Sequence, residues 1–187
     1  MEKEKLDSTS SGYTGLLIML LFLAGGILLL VLFKEFLFGL IGGPVLLVLA
    51  SFMSAGFLVI NPNESSVLTL FGDYKGTLKR NGFYWVNPFF VKKKISLRAR
   101  NFNSELLKVN DKLGNPIMIG IVLVWKVEET FKAAFQVDDY NRFVEIQSES
   151  AVRKLAGHYA YDNFDDEQSE ITLRGGGEEV NHVLEKE

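Results

Sequence analysis

Apolar positions crowd the amino end of the chain. From Gly15 to Phe33 nineteen residues run without a charge, and after Lys34-Glu35 the stretch Phe36 to Ile60 adds twenty-five more. A bilayer core about 30 Å thick takes about 20 apolar residues at 1.5 Å rise, so each run is long enough to cross. A signal peptide has an apolar region of only about 7–15 residues and is not followed at once by a second span. Lys34-Glu35 alone is too short for an aqueous loop. The turn is therefore predicted within Lys34 to Pro44, where Gly39, Gly42, Gly43 and Pro44 break or cap helices. Two geometries fit, a full two-span hairpin and a re-entrant wedge, and both leave the amino tail and everything after Ile60 on one side. Gly25-Gly26 is a candidate close-packing notch, but no small-xxx-small spacing surrounds it, which favours a chance pair in a Gly-tolerant span. Residues 1–14, with Ser8-Thr-Ser-Ser11, read as a disordered tail, and residues 15–60 as a membrane hairpin.

Beyond Ile60 the period becomes two. Val67 to Phe71 and Phe83 to Val86 are short strand-prone runs closed by Gly72-Asp73 and Asn87-Pro88. Lys94 to Arg100 alternates strictly, Ile95, Leu97 and Ala99 against Ser96, Arg98 and Arg100, as a half-buried strand does. Glu105 to Val109 leads through the turn-rich Asn110-Asp-Lys-Leu-Gly-Asn115 into Ile117 to Val127, which is predicted as one long strand. Ile117, Ile119, Ile121, Leu123, Trp125 and Val127 share one face, with Met118, Val122 and Val124 on the other. Apolar on both faces, it is expected at the centre of its sheet.

The period then changes again. Glu128 to Gln136 suits a short helix, and Asp139 to Ala156 a longer one, with Tyr140, Phe143, Val144, Gln147, Ala151, Val152 and Leu155 on one side. Asp138 or Asp139 can cap its start, and Gly157 is placed to stop it. Strands followed by helices predict an α+β module over residues 61–187 rather than alternating βαβ units.

Composition narrows the function. The 187 residues carry 20 Lys+Arg against 23 Asp+Glu, so a nucleic-acid binder, with its basic excess, is not expected. Mean hydropathy is +0.14, owed to the amino end. With no Cys there are no disulfides, thiolate metal sites or cysteine nucleophiles. His158 and His182 are the only imidazoles, so multi-His metal sites and most His-based catalysis have little support. His158, just past a helix end, suits an interaction with the last carbonyls. Gly175-Gly176-Gly177 lacks the Lys-Ser/Thr of a phosphate cradle and reads as a flexible approach to a helix. In that helix Val180, Val183 and Leu184 are spaced for one face, and Glu178 and Glu179 suit its first turn. Asp162, Asp165, Asp166 and Glu167 are out of register for a calcium loop and read as a solvated acidic linker.

Charge is laid out unevenly. Lys75 to Arg100 contains eight basic residues and no acidic one, whereas Tyr161 to Glu187 contains two basic and nine acidic. Lys92, Lys93 and Lys94, beside Phe83, Tyr84, Trp85, Phe89 and Phe90, are candidate contacts for anionic lipid headgroups, with a solvated strand face as the equally weighted alternative. Lys3, Lys5, Lys75, Lys79 and Arg80 on the flanks, against Lys34 in the turn, favour a cytoplasmic module. Tyr13, Phe33 and Phe36 are candidate interfacial anchors.

Several segments bear a family likeness. Asn61-Pro-Asn-Glu-Ser-Ser-Val-Leu-Thr-Leu-Phe-Gly72, directly after a membrane segment, resembles the opening of the SPFH or band-7 domain. So does Asn81-Gly-Phe-Tyr-Trp-Val-Asn-Pro88, with Asn81 where the family usually has Pro. Val109 to Ile117, feeding a run with Trp125-Lys-Val127, looks like that family's central hairpin, and Ser148 to Gly157 is similar to its first long helix. The likeness spans Asn61 to about Ala160 and is to the family of stomatins, prohibitins, flotillins and paired bacterial regulators of membrane proteases. Such members continue into further strand and helix and a long coiled coil, so the chain reads as truncated before them. The resemblance implies a non-enzymatic, membrane-anchored scaffold without cofactor. It would self-associate and organise lipids and membrane proteins, membrane proteases among them, into microdomains. The alternative is a regulator acting one-to-one on a membrane protease or channel.

Overall fold

A computed structural model describes residues 10–33, 35–162 and 172–186. Lys3, Lys5, Ser8, the turn residue Lys34 and the acidic run Asp165 to Glu167 lie outside the described residues. The chain divides into two units, residues 1–98 with 127–136, and residues 99–126 with 137–187.

The first unit opens with a two-residue strand, β1 (Ser10–Ser11), that runs straight into helix α1 (Gly12–Leu32). Helix α2 (Leu37–Ser54) returns antiparallel after a turn of only four residues, 33–36, closed by Phe36 N donating to Phe33 O at 3.0 Å. The turn is thus shorter than the predicted Lys34–Pro44, and Gly39, Gly42, Gly43 and Pro44 all lie inside α2. The glycines serve helix contact instead: Gly39 and Gly43 are buried, and a Cβ on either would run into the α1 side of the pair. Pro44 removes one helical N–H, a loss that apolar hairpins tolerate when a neighbouring helix packs alongside.

The second apolar run ends as a strand rather than a span. After Ser54 the chain forms β2 (Phe57–Ile60), where Leu58 and Ile60 enter the core. The rest of the unit comprises β3 (Glu64–Leu70), β4 (Asp73–Leu78), β5 (Gly82–Trp85), β6 (Val91–Ser96) and a short helix, α3 (Thr130–Phe135). Two three-stranded antiparallel sheets result, ordered β1-β5-β2 and β4-β3-β6. Leu58, Ile60, Leu68, Leu78 and Val86 form the cluster between them, with Tyr84 and Phe90 at its margin. Tyr74 of β4 packs edge-on against Phe131 of α3, with ring centroids 4.8 Å apart.

Strand β3 is covered on both faces, so Ser65, Ser66, Val67 and Leu68 are all fully buried. Ser65 donates to Ile95 O, but Ser66 Oγ, two residues before Leu68 and so on the face of the apolar cluster, has no hydrogen-bond partner among the described residues. A buried hydroxyl left unpaired costs about 1–3 kcal/mol. Ser66→Ala is therefore expected to stabilise this unit by about 1 kcal/mol, read as a later chemical-denaturation midpoint with an unchanged slope.

The predicted strand Lys94–Arg100 is also divided. β6 ends at Ser96, Leu97 N donates to Asn63 O at 2.9 Å, and the chain bends before the second unit begins. There β7 (Arg100–Asn103), β8 (Leu107–Asn110), β9 (Pro116–Ile119) and β10 (Val122–Trp125) precede α4 (Tyr140–His158) and α5 (Gly177–Lys186). The expected long strand Ile117–Val127 is broken at Gly120-Ile121. Among the described residues β9 pairs only with β8, and β10 only with β7, so both are ribbon strands rather than a sheet centre. The predicted inner face holds: Ile121 joins Leu107, Val109, Val152 and Ala156 in the core, with Ile117 and Ile119 against it. On the other face Met118, Val122 and Val124 are 57–75% exposed, because within the described residues only one face meets α4.

Asp139 caps α4, accepting from Asn141 N at 2.8 Å and Arg142 N at 3.3 Å. The helix runs through Gly157 to His158 instead of stopping at the glycine, and His158 Nδ1 lies 2.7 Å from Lys154 O. α5 confirms a helix after the triple glycine, while the side chains of Val183 and Leu184 lie outside the described residues.

Asp111, unremarked in the turn pattern, holds this unit's hairpin. Its carboxylate accepts from Leu113 N, Asn115 N, Asn115 Nδ2 and, beyond α4, Tyr161 N, at 2.7–3.2 Å. Burial pushes its pKa up, but these hydrogen bonds outweigh that and hold it below the ordinary carboxylate value. A lowered folded-state value means the stabilisation is complete above the unfolded value, about pH 4, and fades as the pH falls through the folded one. Amide protection at Asn115 and Tyr161 is expected to hold level down to about pH 4 and to drop below it, and to be low and flat with pH in Asp111→Asn, by hydrogen exchange.

Candidate membrane interface

The two helices supply the site's apolar surface. At 21 and 18 residues they are about 31 and 27 Å long, the thickness of a bilayer core. Their large side chains point outward: Leu17, Leu21, Val31 and Leu32 on α1, and Phe38, Leu40 and Val48 on α2, are mostly exposed. What they turn toward each other is glycine. A Cβ at Gly26 would lie 3.0 Å from Leu47 and 3.1 Å from Gly43 O, and one at Gly43 would press on Leu30 and Gly26 O. Gly26 is therefore the close-packing notch that its surroundings in sequence argued against. Its small partner sits on the other helix, where spacing along one helix does not show it. Gly25, its neighbour, faces Leu46 at an ordinary 3.6 Å.

The base of the hairpin is built around Trp85. Its indole Nε1 donates to Met53 O in the last turn of α2 at 3.1 Å, and its ring fills the space where Gly15 of α1 has no side chain. Gly12 makes the same allowance for Phe83. Val86 N donates to Gly56 O at 2.9 Å, completing the seam between β5 and the chain leaving α2. A ring of aromatics surrounds this level. Tyr13 meets Phe83 at 5.4 Å, Phe83 stacks on Phe57 at 5.3 Å, and Phe52 meets Phe89 at 5.1 Å. At the far end of the hairpin Phe33 contacts Phe36 and Phe38.

The three lysines of β6 go to three different places. Lys92 Nζ donates to Ala55 O at 2.6 Å and Phe57 O at 3.2 Å, a cation set against the carbonyl end of α2, and burial lowers its pKa. Lys93 Nζ donates to Ala134 O of α3 at 3.0 Å. Lys94 pairs with Glu64 at 3.5 Å. That carboxylate also accepts from Asn61 N and Nδ2, and these bonds hold its pKa below the usual value. The pairing register explains the dispersal: the three residues sit opposite Leu68, Val67 and Ser66, pointing alternately to the two sides of the sheet.

No group of three His, Cys, Asp or Glu that could hold a metal occurs among the described residues. The sheets and helix that follow the hairpin match the SPFH domain / Band 7 family over residues 58–174. The chain belongs to that family. No curated protein matches it. SPFH proteins are in general membrane-associated, non-enzymatic scaffolds, and the apolar hairpin directly preceding the SPFH domain associates this chain with a membrane. Within the matched segment, sequence reasoning missed the part played by Trp85 and the inward course of Lys92. The segment Asn81 to Pro88 carries part of the family likeness, but its tryptophan's partners come from about 30 and 70 residues away.

Proposed function

We propose that this SPFH protein is a scaffold inserted in a membrane by its hairpin, with the module on the cytoplasmic side. Copies of it self-associate and gather lipids and other integral membrane proteins, proteases among them, into a local domain, with no reaction catalysed and no cofactor held. The observation that carries this reading is the hairpin itself, apolar on every outward face, glycine on its inner one, and rooted in the module's first sheet. Lipid solvates such a surface without cost. The excess of lysines near its flanks favours the cytoplasmic side. Self-association is supported by the strand face of Met118, Val122 and Val124 and by one edge of β10, neither of which is covered among the described residues. Of the three β6 lysines, Lys92 is the one we place at lipid headgroups. It lies at the end of α2, and two of its three N–H donors are used, leaving one for a phosphate oxygen. Native mass in a mild detergent tests the scaffold. A large discrete assembly is expected, and a monomer or dimer overturns it.

A further inference from the structure

In the first unit β3 carries the chain back toward the base of the hairpin and ends in a two-residue turn, Phe71-Gly72, before β4. Both residues have positive φ, +50° at Phe71 and +94° at Gly72. Hairpin turns of that hand favour Asn-Gly or Asp-Gly, because a bulky side chain in the left-handed region meets its own backbone. A phenylalanine there is a poor turn former, and burial does not compensate it: Phe71 is 86% exposed, the highest value among the large apolar side chains of the described residues. Its ring has one aromatic neighbour, Phe89 at 6.2 Å, itself 57% exposed, and Phe89 in turn touches Phe52 in the last turn of α2. Val91, at the start of β6, is 65% exposed.

An exposed phenylalanine alone needs no explanation. One held at a strained position, at the tip of a hairpin, and joined by ring contacts to the end of a bilayer-length helix, does. We infer that the Phe71-Gly72 turn, with Phe89 and Val91, dips into the membrane interface beside the carboxyl end of α2. It forms a second membrane contact, contributed by the sheet rather than the hairpin. The inferred partner is lipid because the patch is continuous with Phe52. Aromatic rings settle at the headgroup level. The inference rests on the membrane-anchored reading above.

The chain has no cysteine, so single cysteines report position without a background. Nitroxide labels are placed in turn at Phe71→Cys, at Val48→Cys on the outer face of α2, and at Arg98→Cys beyond the opposite end of β6. Each full-length protein is reconstituted in phosphatidylcholine–phosphatidylglycerol vesicles. The expected result is loss of access to a water-soluble nickel complex, with access to oxygen retained, at 48 and 71 but not at 98. A label at 71 as open to nickel as that at 98, with 48 protected, overturns this inference and leaves the anchoring intact. A label at 48 open to nickel overturns the anchoring and the inference with it. Protection at 71 from both nickel and oxygen means a protein partner covers the turn, and overturns the lipid assignment. As a second measure, Phe71→Asn supplies a residue the turn prefers. It is expected to unfold at a higher temperature in detergent, while a label at Phe89→Cys gains nickel access in that background. Lowered stability, or unchanged access at 89, overturns the inference.

Discussion

Replacing Trp85 with alanine is expected to destabilise the first unit by about 3 kcal/mol and to detach the hairpin base from the sheet. Fully buried Trp→Ala changes cost about 3–5 kcal/mol, and Trp85 is only partly buried, which places it at the low end. The loss has two separable parts. One is packing, since the ring occupies space left by Gly15 in the first turn of α1 and by Gly56 on the chain leaving α2. The other is the indole bond to Met53 O, for which about 1 kcal/mol is reasonable. Trp85→Phe keeps much of the first and none of the second, so it is expected to cost roughly a third as much. Hydrogen exchange at Val86 N, which donates to Gly56 O across the same seam, reads both variants in detergent micelles. Equal protection in the alanine variant and the parent would show that the hairpin is not held by this residue.

Gly43→Leu is expected to separate the two helices by overfilling their crossing. The new side chain would meet Leu30, which can yield, and Gly26 O, which cannot. Overpacking of this kind costs about 1–3 kcal/mol, and in lipid no hydrophobic drive between the helices compensates it, since packing is what holds them. At about 2 kcal/mol the closely packed population falls roughly thirtyfold. Cysteines at Leu29→Cys and Gly42→Cys, bridged by a short bifunctional thiol reagent, read this as a slower cross-link, because a Cβ at Gly42 lies 3.5 Å from Leu29 Cδ1. Gly25→Ala is the control. Its Cβ meets only Leu46 at ordinary contact distance, so it is expected to leave the cross-linking rate near that of the parent, with a small gain in helix propensity.

The amino-acid pattern determined by itself what depends on neighbours along the chain. Two uncharged runs of bilayer length, a cap at Asp138 or Asp139, the turn at residues 110–115 and the in/out alternation of Ile117 to Trp125 each follow from local spacing, and each is found, the cap at Asp139. The family likeness rested on such segments too. Tertiary structure decided whatever needs a partner distant in sequence. An apolar run does not say where a helix stops and a strand starts, because Leu58 and Ile60 are as apolar in a protein core as they would be in lipid. Two apolar faces do not make a strand central, because β9 and β10 each have one pairing partner among the described residues and leave Met118, Val122 and Val124 exposed. Three consecutive lysines look like one basic patch, yet a strand sends alternate side chains to opposite sides, and Ala55, Ala134 and Glu64 each take one. Gly26 counts as a notch only because Gly43 lies across from it, and Phe71 as a strained residue only because pairing with β4 places it in the turn. These are contacts between residues up to about 70 positions apart, and local pattern carries no record of them.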